Sequence, residues 1–446
     1  MAAPSLLPLL LPFLLFLASP YLSASHRSFL KLPLLHRPSP SPSPSPRLLR
    51  RSPSAKYPVK SGAPFGAGQY FVVLHLGTPP QRLLLVVDTG SDLVWAHCSS
   101  CCGGDCSRRA PGSAFLARCS SSFRPNHCYS PSCRLVPRPP PSRCNRTHLH
   151  SACRYEYTYS DGSLSSGFFS RETVALNTTR AETETAARLK GLAFGCGFRV
   201  SGPSVTGSSF NGAQGVMGLG RGPISFSSQL GRRIGSSKFS YCLMDYTLSP
   251  PPTSYLIIGD GPREENATSS SLAFTPLLAN PLLPTFYYVG IKRVYVDGER
   301  LPIDPSVWSL DERGNGGTIV DSGTTLTFLA EPGYRRILAA MRRRVGLPEA
   351  ERVPPGFDLC VNVTGVRRPR LPRLSFEMVG EAVFSPPARN YFIEVAEGVR
   401  CLAVRPAETE GGGSSVIGNV MQQGFLWEFD GDRSRLGFSR RGCAAS

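Results

Sequence analysis

Two similar segments lie far apart in the chain, and this internal repeat constrains the fold more than any other feature. The segment LLLVVDTGSDLVW (83–95) is echoed by GTIVDSGTTLTF (317–328). In both, apolar residues lead into Asp-[Thr/Ser]-Gly-[Ser/Thr], and each half has a later apolar-apolar-Gly element that ends at Gly218 or Gly418. The repeat predicts two similar halves packed about a pseudo-twofold axis, with the two aspartates meeting between them.

The composition favours short strands over long helices. The chain has 44 Gly and 42 Pro, and only 18% of its residues are charged, which is typical of a turn-rich β protein. The segment from Gln69 reads as a strand, a turn at 77–80 and a second strand. One amphipathic helix is predicted over 331–346, with Ile337, Leu338, Met341 and Val345 on one face and arginines on the other.

The paired aspartates, Asp88 and Asp321, indicate a specific chemistry. Two carboxylates held close together cannot both ionise cheaply, so the pair shares a proton. One of them acts as general base on a water molecule and the other as general acid toward a carbonyl, which suits peptide hydrolysis. A single Asp-Thr-Gly is read as an ordinary turn, but two copies with matching downstream elements favour the catalytic interpretation.

Several longer stretches carry a family resemblance. The chain resembles the pepsin-like aspartic proteases, and more closely the nepenthesin-type enzymes of plants, over most of residues 68–440. The stretches are LHLGTPPQ (74–81), DTGSDLVW (88–95), FGCG (194–197), GVMGLGRGPISFSSQL (215–230), FSYCL (239–243), DSGTTLTFL (321–329) and VIGNVMQQGFLWEFD (416–430). The resemblance implies an all-β, bilobal fold of two β-barrel-like lobes with the active-site cleft between them.

The same resemblance implies an aspartic-type endopeptidase that acts on polypeptides at acidic pH, as a monomer without a cofactor or a metal. Asp88 and Asp321 match the catalytic pair. The supporting residues are Thr89, Gly90, Ser91, Ser322, Gly323 and Thr324, where Ser91 and Thr324 match hydroxyls that bond the carboxylates and Thr89 and Ser322 match interlocking turn hydroxyls. The flap and substrate residues are Tyr159, Trp95, Asp161 and Gly162, and Ser160 stands where the family usually has glycine.

The chain divides into four zones. Residues 1–25 read as a secretory signal peptide, although its first five residues lack Lys and Arg. Residues 26–64 include PSPSPSPSP and are interpreted as a basic prosegment or linker. An N-terminal catalytic lobe at 65–280, with a cysteine-rich insert at 98–153, and a C-terminal catalytic lobe at 281–446 are expected to follow.

Cysteines and sequons fit an oxidising, secretory route. Fourteen cysteines in a secreted chain favour disulfides over a zinc site at the CSSCCGGDC stretch (98–106). Nine cysteines lie between Cys98 and Cys153, so at least one bond leaves that stretch if all of them pair. A disulfide between Cys360 and Cys401 is expected, and the other pairings stay open. Glycosylation is predicted at the sequons Asn145, Asn177, Asn266 and Asn362.

The formal charge of +18 narrows the partners. Residues 1–60 hold eight Lys or Arg and no Asp or Glu, so part of the excess lies in a removable segment. Nucleic acid is excluded as a partner because no basic-aromatic motif accompanies the charge, whereas an acidic polysaccharide or acidic protein surface fits it. No membrane span is predicted. The chain is expected outside the cell, in the apoplast or cell wall, with the vacuole as the alternative.

Two functions of different classes are compatible with this fold. The first is a secreted acid endopeptidase made as a zymogen, in which a Lys or Arg of the basic 26–60 segment silences the carboxylate pair near neutral pH. The second is a catalytically weak or inactive binding protein that resembles plant glycanase inhibitors. Those relatives break the catalytic pair, and because both Asp-[Thr/Ser]-Gly turns are intact here, the first function is favoured.

Overall fold

Strands dominate the chain, as the all-β prediction requires. The computed structural model describes residues 29–36, 68–99, 113–138, 144, 151–180, 183–206, 210, 212–245, 254–259, 272–351, 353–407, 413–440 and 443. The predicted signal peptide, most of the predicted prosegment and most of the CSSCCGGDC stretch lie outside the described residues.

The elements follow the chain in this order. The strands of the first half are β1 (Phe29–His36), β2 (Tyr70–Leu76), β3 (Gln81–Asp88), β4 (Trp95–Ser99), β5 (Phe115–Leu116), β6 (Arg124–Pro125), β7 (Arg154–Thr158), β8 (Leu164–Arg180), β9 (Thr183–Ser201), β10 (Gly215–Gly218), β11 (Lys238–Cys242), β12 (Ser254–Gly259) and β13 (Ala273–Pro276). The strands of the second half are β14 (Tyr288–Val289), β15 (Ile291–Val296), β16 (Glu299–Arg300), β17 (Thr318–Val320), β18 (Thr327–Leu329), β19 (Cys360–Asn362), β20 (Leu374–Met378), β21 (Val383–Phe384), β22 (Phe392–Ala396), β23 (Val399–Leu402), β24 (Val404–Pro406), β25 (Ser415–Ile417), β26 (Leu426–Asp430) and β27 (Arg435–Ser439). The α-helices are α1 (Pro203–Thr206), α2 (Phe226–Ile234), α3 (Glu331–Arg344) and α4 (Asn419–Gln422), and 3₁₀ turns span Ala117–Cys119, Pro131–Leu135, Pro305–Trp308 and Ala388–Asn390.

The internal repeat is visible as two equivalent strand pairs. In the first half, β10 runs parallel to β3, so that Val216 lies beside Val86. In the second half, β25 runs parallel to β17, so that Val416 lies beside Ile319. Each apolar-apolar-Gly element therefore lies next to the strand that ends at an aspartate, which explains why the sequence repeats both elements together.

One large sheet joins the two halves of the chain. Its strand order is β13-β27-β26-β11-β12-β1-β2-β3-β10-β4-β9-β8-β6, so strands from the end of the chain pair with strands of the first half. The antiparallel β11–β26 pairing places Tyr241 opposite Trp427, and both side chains are buried. A disulfide between Cys242, the last residue of β11, and Cys443 adds a covalent link between the two halves of the chain.

Part of the predicted prosegment belongs to this sheet. Residues 29–36 form β1, which pairs antiparallel with β12 on one side and with β2 on the other. From the sequence, residues 26–64 are expected to be only a prosegment or linker, and no strand is predicted in them. The FLKLPLLH stretch is the apolar part of that zone, and it differs from the Pro/Ser-rich spacer that follows.

Helix α3 confirms the predicted amphipathic helix. Ile337 and Met341 are fully buried, while arginines cover the opposite face. Arg335 pairs with Glu331 one turn earlier, and Arg344 pairs with Glu299. This face is thus partly neutralised by local ion pairs, as expected for an ordinary surface helix.

Five disulfides are placed among the described residues. The expected Cys360–Cys401 bond links β19 to β23, and the bond leaving the cysteine-rich stretch is Cys98–Cys196. The remaining pairs are Cys128–Cys144, Cys133–Cys153 and Cys242–Cys443. Across the described part of the chain, no helix has both the length and the apolar character needed to cross a bilayer.

Candidate active site

The two aspartates of the repeat meet at the ends of equivalent strands. Asp88 is the last residue of β3, and Asp321 directly follows β17. Both are buried, with relative exposures of 7% and 9%. The apolar residues that precede each aspartate pack into the core of a lobe, so each strand carries its carboxyl group into the interface between the halves.

Each carboxylate is bonded by its own turn in the same way. The backbone N–H of Gly90 donates to Asp88 Oδ1 at 2.9 Å, and the N–H of Gly323 donates to Asp321 Oδ1 at 2.9 Å. The Ser91 hydroxyl donates to Asp88 Oδ2, and Thr324 donates to Asp321 Oδ2 at 2.6 Å. The predicted supporting residues therefore hold both carboxylates at fixed positions.

Thr89 and Ser322 lock the two turns to each other. The N–H of Thr89 donates to Ser322 Oγ at 3.1 Å, and the N–H of Ser322 donates to Thr89 Oγ1 at 2.9 Å. Each hydroxyl also reaches the opposite strand, since Thr89 donates to the Val320 carbonyl at 3.3 Å and Ser322 to the Val87 carbonyl at 3.0 Å. Because all four groups are buried, the bonds fix the separation of the halves at the site.

The glycine in each turn is required by the close approach of the partner carboxylate. A Cβ atom on Gly90 would lie only 2.8 Å from Asp321 Oδ2. A Cβ atom on Gly323 would overlap Asp88 Oδ1. Any other residue would push the two carboxyl groups apart.

The electrostatics of the pair favour a shared proton. Burial, and then the nearby charge of Asp321, raise the pKa of Asp88 to about 8. The hydrogen bonds from Ser91 and Gly90 act in the opposite direction, because they stabilise the ionised form. Desolvation prevails, so one proton stays on the pair well above the ordinary aspartate range.

The predicted flap tyrosine and its partner are hydrogen-bonded. Trp95 Nε1 donates to the Tyr159 hydroxyl oxygen at 2.7 Å. Tyr157 packs against Tyr159 with ring centroids 5.2 Å apart, and Tyr155 belongs to the same apolar cluster. Burial, and then the charge of Asp88, raise the pKa of Tyr159 well above its ordinary value, so the phenol stays protonated beside the carboxylates.

The tip of the flap hairpin is a tight turn between β7 and β8. The N–H of Tyr159 donates to the Ser163 carbonyl at 2.8 Å, and the Asp161 carboxylate accepts from the N–H and the hydroxyl of Ser163. Gly162 takes the positive φ of 77°, whereas Ser160 lies outside the left-handed region. The serine in place of the family's usual glycine is therefore accommodated without backbone strain at that position.

A third carboxylate near the pair was not singled out from the sequence. Asp92 Oδ1 accepts from the N–H of Gly222 at 2.7 Å, and Asp92 Oδ2 accepts from the Thr285 hydroxyl at 2.7 Å. Burial raises its pKa. Asp92 thus ties the Asp-Thr-Gly turn of the first half to the loop after β10 and to the segment that leads into the second lobe.

Gln422, the last residue of α4, supports the second turn, and Gln423 follows it. Gln422 donates to the carbonyls of Asp321 and Ile417 at 2.9 and 2.8 Å, and its oxygen accepts from the Tyr241 hydroxyl at 2.5 Å. Gln423 donates to the Tyr70 hydroxyl at 2.8 Å. The only sequence signal for these roles is that two polar residues interrupt an otherwise apolar stretch.

The predicted glycosylation sites are only partly described. Asn362 is exposed at the end of β19, and its side-chain oxygen accepts from the N–H of Thr364 at 2.8 Å. Asn177 lies within β8. Asn145 and Asn266 lie outside the described residues. Where the structure describes the chain, no three His, Cys, Asp or Glu side chains cluster in a way that would hold a metal ion.

Two sequence-family models match the chain, one for each lobe. The model described as "Xylanase inhibitor N-terminal" matches residues 70–260. The model described as "Xylanase inhibitor C-terminal" matches residues 286–440. Together they cover Asp88, Asp321 and every residue that donates a hydrogen bond to their carboxylates.

The most similar curated proteins carry protease names. Aspartyl protease family protein 2 of Arabidopsis thaliana is 39% identical over 394 residues, which is 86% of this chain and 73% of that protein. Aspartic proteinase nepenthesin-1 of Nepenthes gracilis is 33% identical over 383 residues, which is 85% of this chain and 79% of that protein.

Solved structures share the fold at lower identity. The structure named edgp is similar with a TM-score of 0.70 and 21% identity, over 93% of this chain and 95% of that one. Basic 7S globulin from soybean is similar with a TM-score of 0.66 and 20% identity, over 92% of this chain and 96% of that one. These matches support the bilobal all-β fold across nearly the whole chain.

Proposed function

The chain belongs to the pepsin-like aspartyl protease family of plants, and we propose that it is an active aspartic-type endopeptidase. The observation that carries the proposal is the pair Asp88 and Asp321, buried together and hydrogen-bonded by equivalent turns. An arrangement that costs this much desolvation, with every supporting hydroxyl in place, is expected where the carboxylates are used.

The proposed reaction is hydrolysis by a water molecule held between the two carboxylates. The ionised carboxylate takes a proton from the water, whose oxygen attacks the carbonyl carbon of the scissile peptide bond. The protonated carboxyl group, Asp88 in the free protein, donates to the carbonyl oxygen. The carboxyl group that took the proton from water then passes it to the peptide nitrogen, while the other carboxylate takes a proton back from a hydroxyl of the tetrahedral intermediate. The carbon–nitrogen bond breaks to leave a carboxylic acid and an amine, and the pair returns to its starting charge.

The surrounding residues fit this reaction. Ser91 and Thr324 orient the carboxylates by donating to Asp88 Oδ2 and Asp321 Oδ2. The hydrogen bonds between Thr89 and Ser322 hold the two turns next to each other. Tyr159, held by Trp95, lies on the hairpin that would close over an extended polypeptide substrate. Their positions match the roles that the family resemblance assigns to them.

We extend the proposal to a secreted zymogen with an N-linked glycan at Asn362. The basic 26–60 segment holds no acidic residue, so a Lys or Arg from it would be attracted to the ionised member of the pair near neutral pH. Protonation of the pair at acidic pH would remove that attraction, while residues 29–36 stay in the sheet as β1.

The test is recombinant precursor incubated at acidic and at neutral pH. Autoprocessing and pepstatin-sensitive cleavage of a denatured protein are expected at acidic pH and not at neutral pH. Absence of both activities from a folded precursor would contradict the proposal.

The second candidate is a binding protein that has lost catalysis. The description of the matching family models as xylanase inhibitors favours it. It predicts slow-tight inhibition of a glycanase by the purified protein, together with no cleavage by the Asp88/Asp321 pair at any pH. Measuring glycanase inhibition and peptide cleavage on the same preparation separates the two candidates.

A further inference from the structure

A cavity of about 230 Å³ lies on the first lobe, between strand β9 and helix α2. Its floor is apolar and is made by the buried side chains Leu189, Leu192 and Ile224. Leu135, at the mouth, is 47% exposed. None of these residues belongs to the proposed catalytic machinery, so the cavity is a separate feature of the lobe.

Three arginines line this cavity, and no acidic residue does. Arg171 donates to Ser132 Oγ at 3.5 Å, Arg232 donates to the Pro223 carbonyl at 2.9 Å, and Arg233 donates to the Lys190 carbonyl. Each of these acceptors is neutral. Within the described ranges, none of the three arginines forms an ion pair with a carboxylate, unlike Arg335 and Arg344 on α3.

Hydrogen bonds from one glutamine fix the walls of the cavity. Gln229 donates to the carbonyls of Ala193 and Ile224 at 2.8 Å each, and accepts from the N–H of Ala193 at 2.7 Å. This side chain therefore braces α2 against β9 behind the apolar floor. A guanidinium has five N–H donors, so one bond to a carbonyl orients each group and leaves donors for a ligand.

We propose that this cavity binds an acidic peptide segment, with a carboxylate on the arginines and a neighbouring apolar side chain on the leucine floor. Arginine clusters recognise carboxylates through charge-assisted, often bidentate hydrogen bonds. The volume is below the roughly 300 Å³ of a small-molecule pocket, which suits one side chain better than a folded ligand. A floor of aliphatic side chains favours a peptide over a chain of acidic sugars.

The experiment is a titration of the full-length protein at neutral pH with two blocked tripeptides, acetyl-Leu-Glu-Leu-amide and its glutamine counterpart. Calorimetry should show saturable binding of the glutamate peptide that weakens as salt is raised, and about tenfold weaker binding of the glutamine peptide. No saturable binding of the glutamate peptide, or equal binding of the two peptides, would overturn the proposal.

Two pairs of variants localise the effect. The double variant Arg232→Gln/Arg233→Gln should weaken binding of the glutamate peptide about tenfold or more. The matched control Arg336→Gln/Arg343→Gln removes two exposed arginines of α3 and should leave the affinity unchanged. Equal weakening by both pairs would mean that net charge, and not this cavity, governs binding.

A second set of variants keeps the test decisive if the first double variant unfolds. Arg171→Gln disturbs only a long contact to Ser132, and Leu135→Glu places a negative charge at the mouth, so both should fold. Each should weaken the glutamate peptide and leave the thermal unfolding temperature near that of the wild type. If both variants bound the glutamate peptide as tightly as wild type, the assignment would be overturned. It would also be overturned if oligogalacturonate displaced the peptide from wild type and from every variant with the same affinity.

Discussion

The two Asp-[Thr/Ser]-Gly turns are bonded alike within the repeat and differently beyond it. Both receive a glycine N–H and a hydroxyl on the carboxylate, and they exchange the same backbone-to-hydroxyl bonds. Outside that shared core, the first turn is tied through the carboxylate of Asp92, whereas the second rests on the amide of Gln422. The repeated residues thus set where the carboxylates meet, and the unrepeated ones give the two halves different surroundings.

This difference gives the two carboxyl groups of the pair different surroundings. A site with exact symmetry would give the shared proton no preferred oxygen. Asp88 has its pKa raised by burial and by Asp321, and it lies on the same side as the raised Asp92. The first half thus holds two carboxyl groups whose pKa values are raised chiefly by burial.

The largest expected effect comes from removing either member of the pair. Asp88→Asn and Asp321→Asn should each lower kcat/KM for a peptide substrate by about 10³-fold or more, because neither general base nor general acid works alone. Circular dichroism should show that both variants fold. If one variant kept a substantial fraction of the activity, the two turns would not act as one catalytic unit.

The pH dependence of stability should reveal the raised pKa of Asp88 in the first half. The pKa of Asp88 is raised from an ordinary 3.8 to about 8, so folded protein keeps a proton that unfolded protein loses. This contribution is complete at acidic pH and is lost as the pH rises toward 8, with a slope of at most about 1.4 kcal/mol per pH unit. The thermal unfolding temperature of Asp88→Asn should fall less steeply with rising pH than that of wild type over that window. Parallel curves would contradict the raised pKa.

Gln422→Leu should affect both stability and rate. The change leaves the Tyr241 hydroxyl and the Asp321 carbonyl without this partner, at a cost of about 2 kcal/mol or more in the free energy of unfolding. Gln229→Leu is the matched control, because the side chain of that glutamine also makes three hydrogen bonds but lies away from the pair. Both variants should lose stability. When kcat is measured without denaturant, at a temperature where both variants are folded, only Gln422→Leu should lower it.

Asp92→Ala should be milder than Gln422→Leu and should be rescued by a conservative change. Loss of the carboxylate removes partners from Gly222 and Thr285 and should cost about 1–2 kcal/mol of stability. Asp92→Asn can still accept from the Gly222 N–H and donate to the Thr285 hydroxyl, so it should recover most of the loss. Denaturant unfolding of the three proteins measures this, and an alanine variant as stable as wild type would show that Asp92 does not tie the lobes.

Tyr159→Phe should have the smallest effect. It removes one hydrogen bond from Trp95 at the flap, worth about 0.5–1.5 kcal/mol, and keeps the ring packing with Tyr157. KM is expected to rise a few-fold with little change in stability. A loss of activity as large as that in Asp321→Asn would instead give the phenol a direct part in the chemistry.

The sequence was informative where a pattern is repeated or periodic. The two Asp-[Thr/Ser]-Gly copies predicted that the aspartates would lie together, and the 3.6-residue pattern predicted α3. The contacts that Asp92 and Gln422 make around the turns were not predicted, since Asp92 and Thr285, for example, are 193 positions apart and only the folded chain brings them into contact. Strand β1 was missed because its apolar residues lie in a zone dominated by a Pro/Ser-rich spacer.

The Cys242–Cys443 bond has a consequence for how the molecule responds to cleavage. The two cysteines are 201 positions apart, and β26, near the second one, pairs with β11, which ends at the first one. A single peptide-bond cut anywhere between these cysteines would leave one covalent molecule with four chain ends in place of two chains. Such a nicked form would migrate as a single species on a non-reducing gel and as two fragments once reduced.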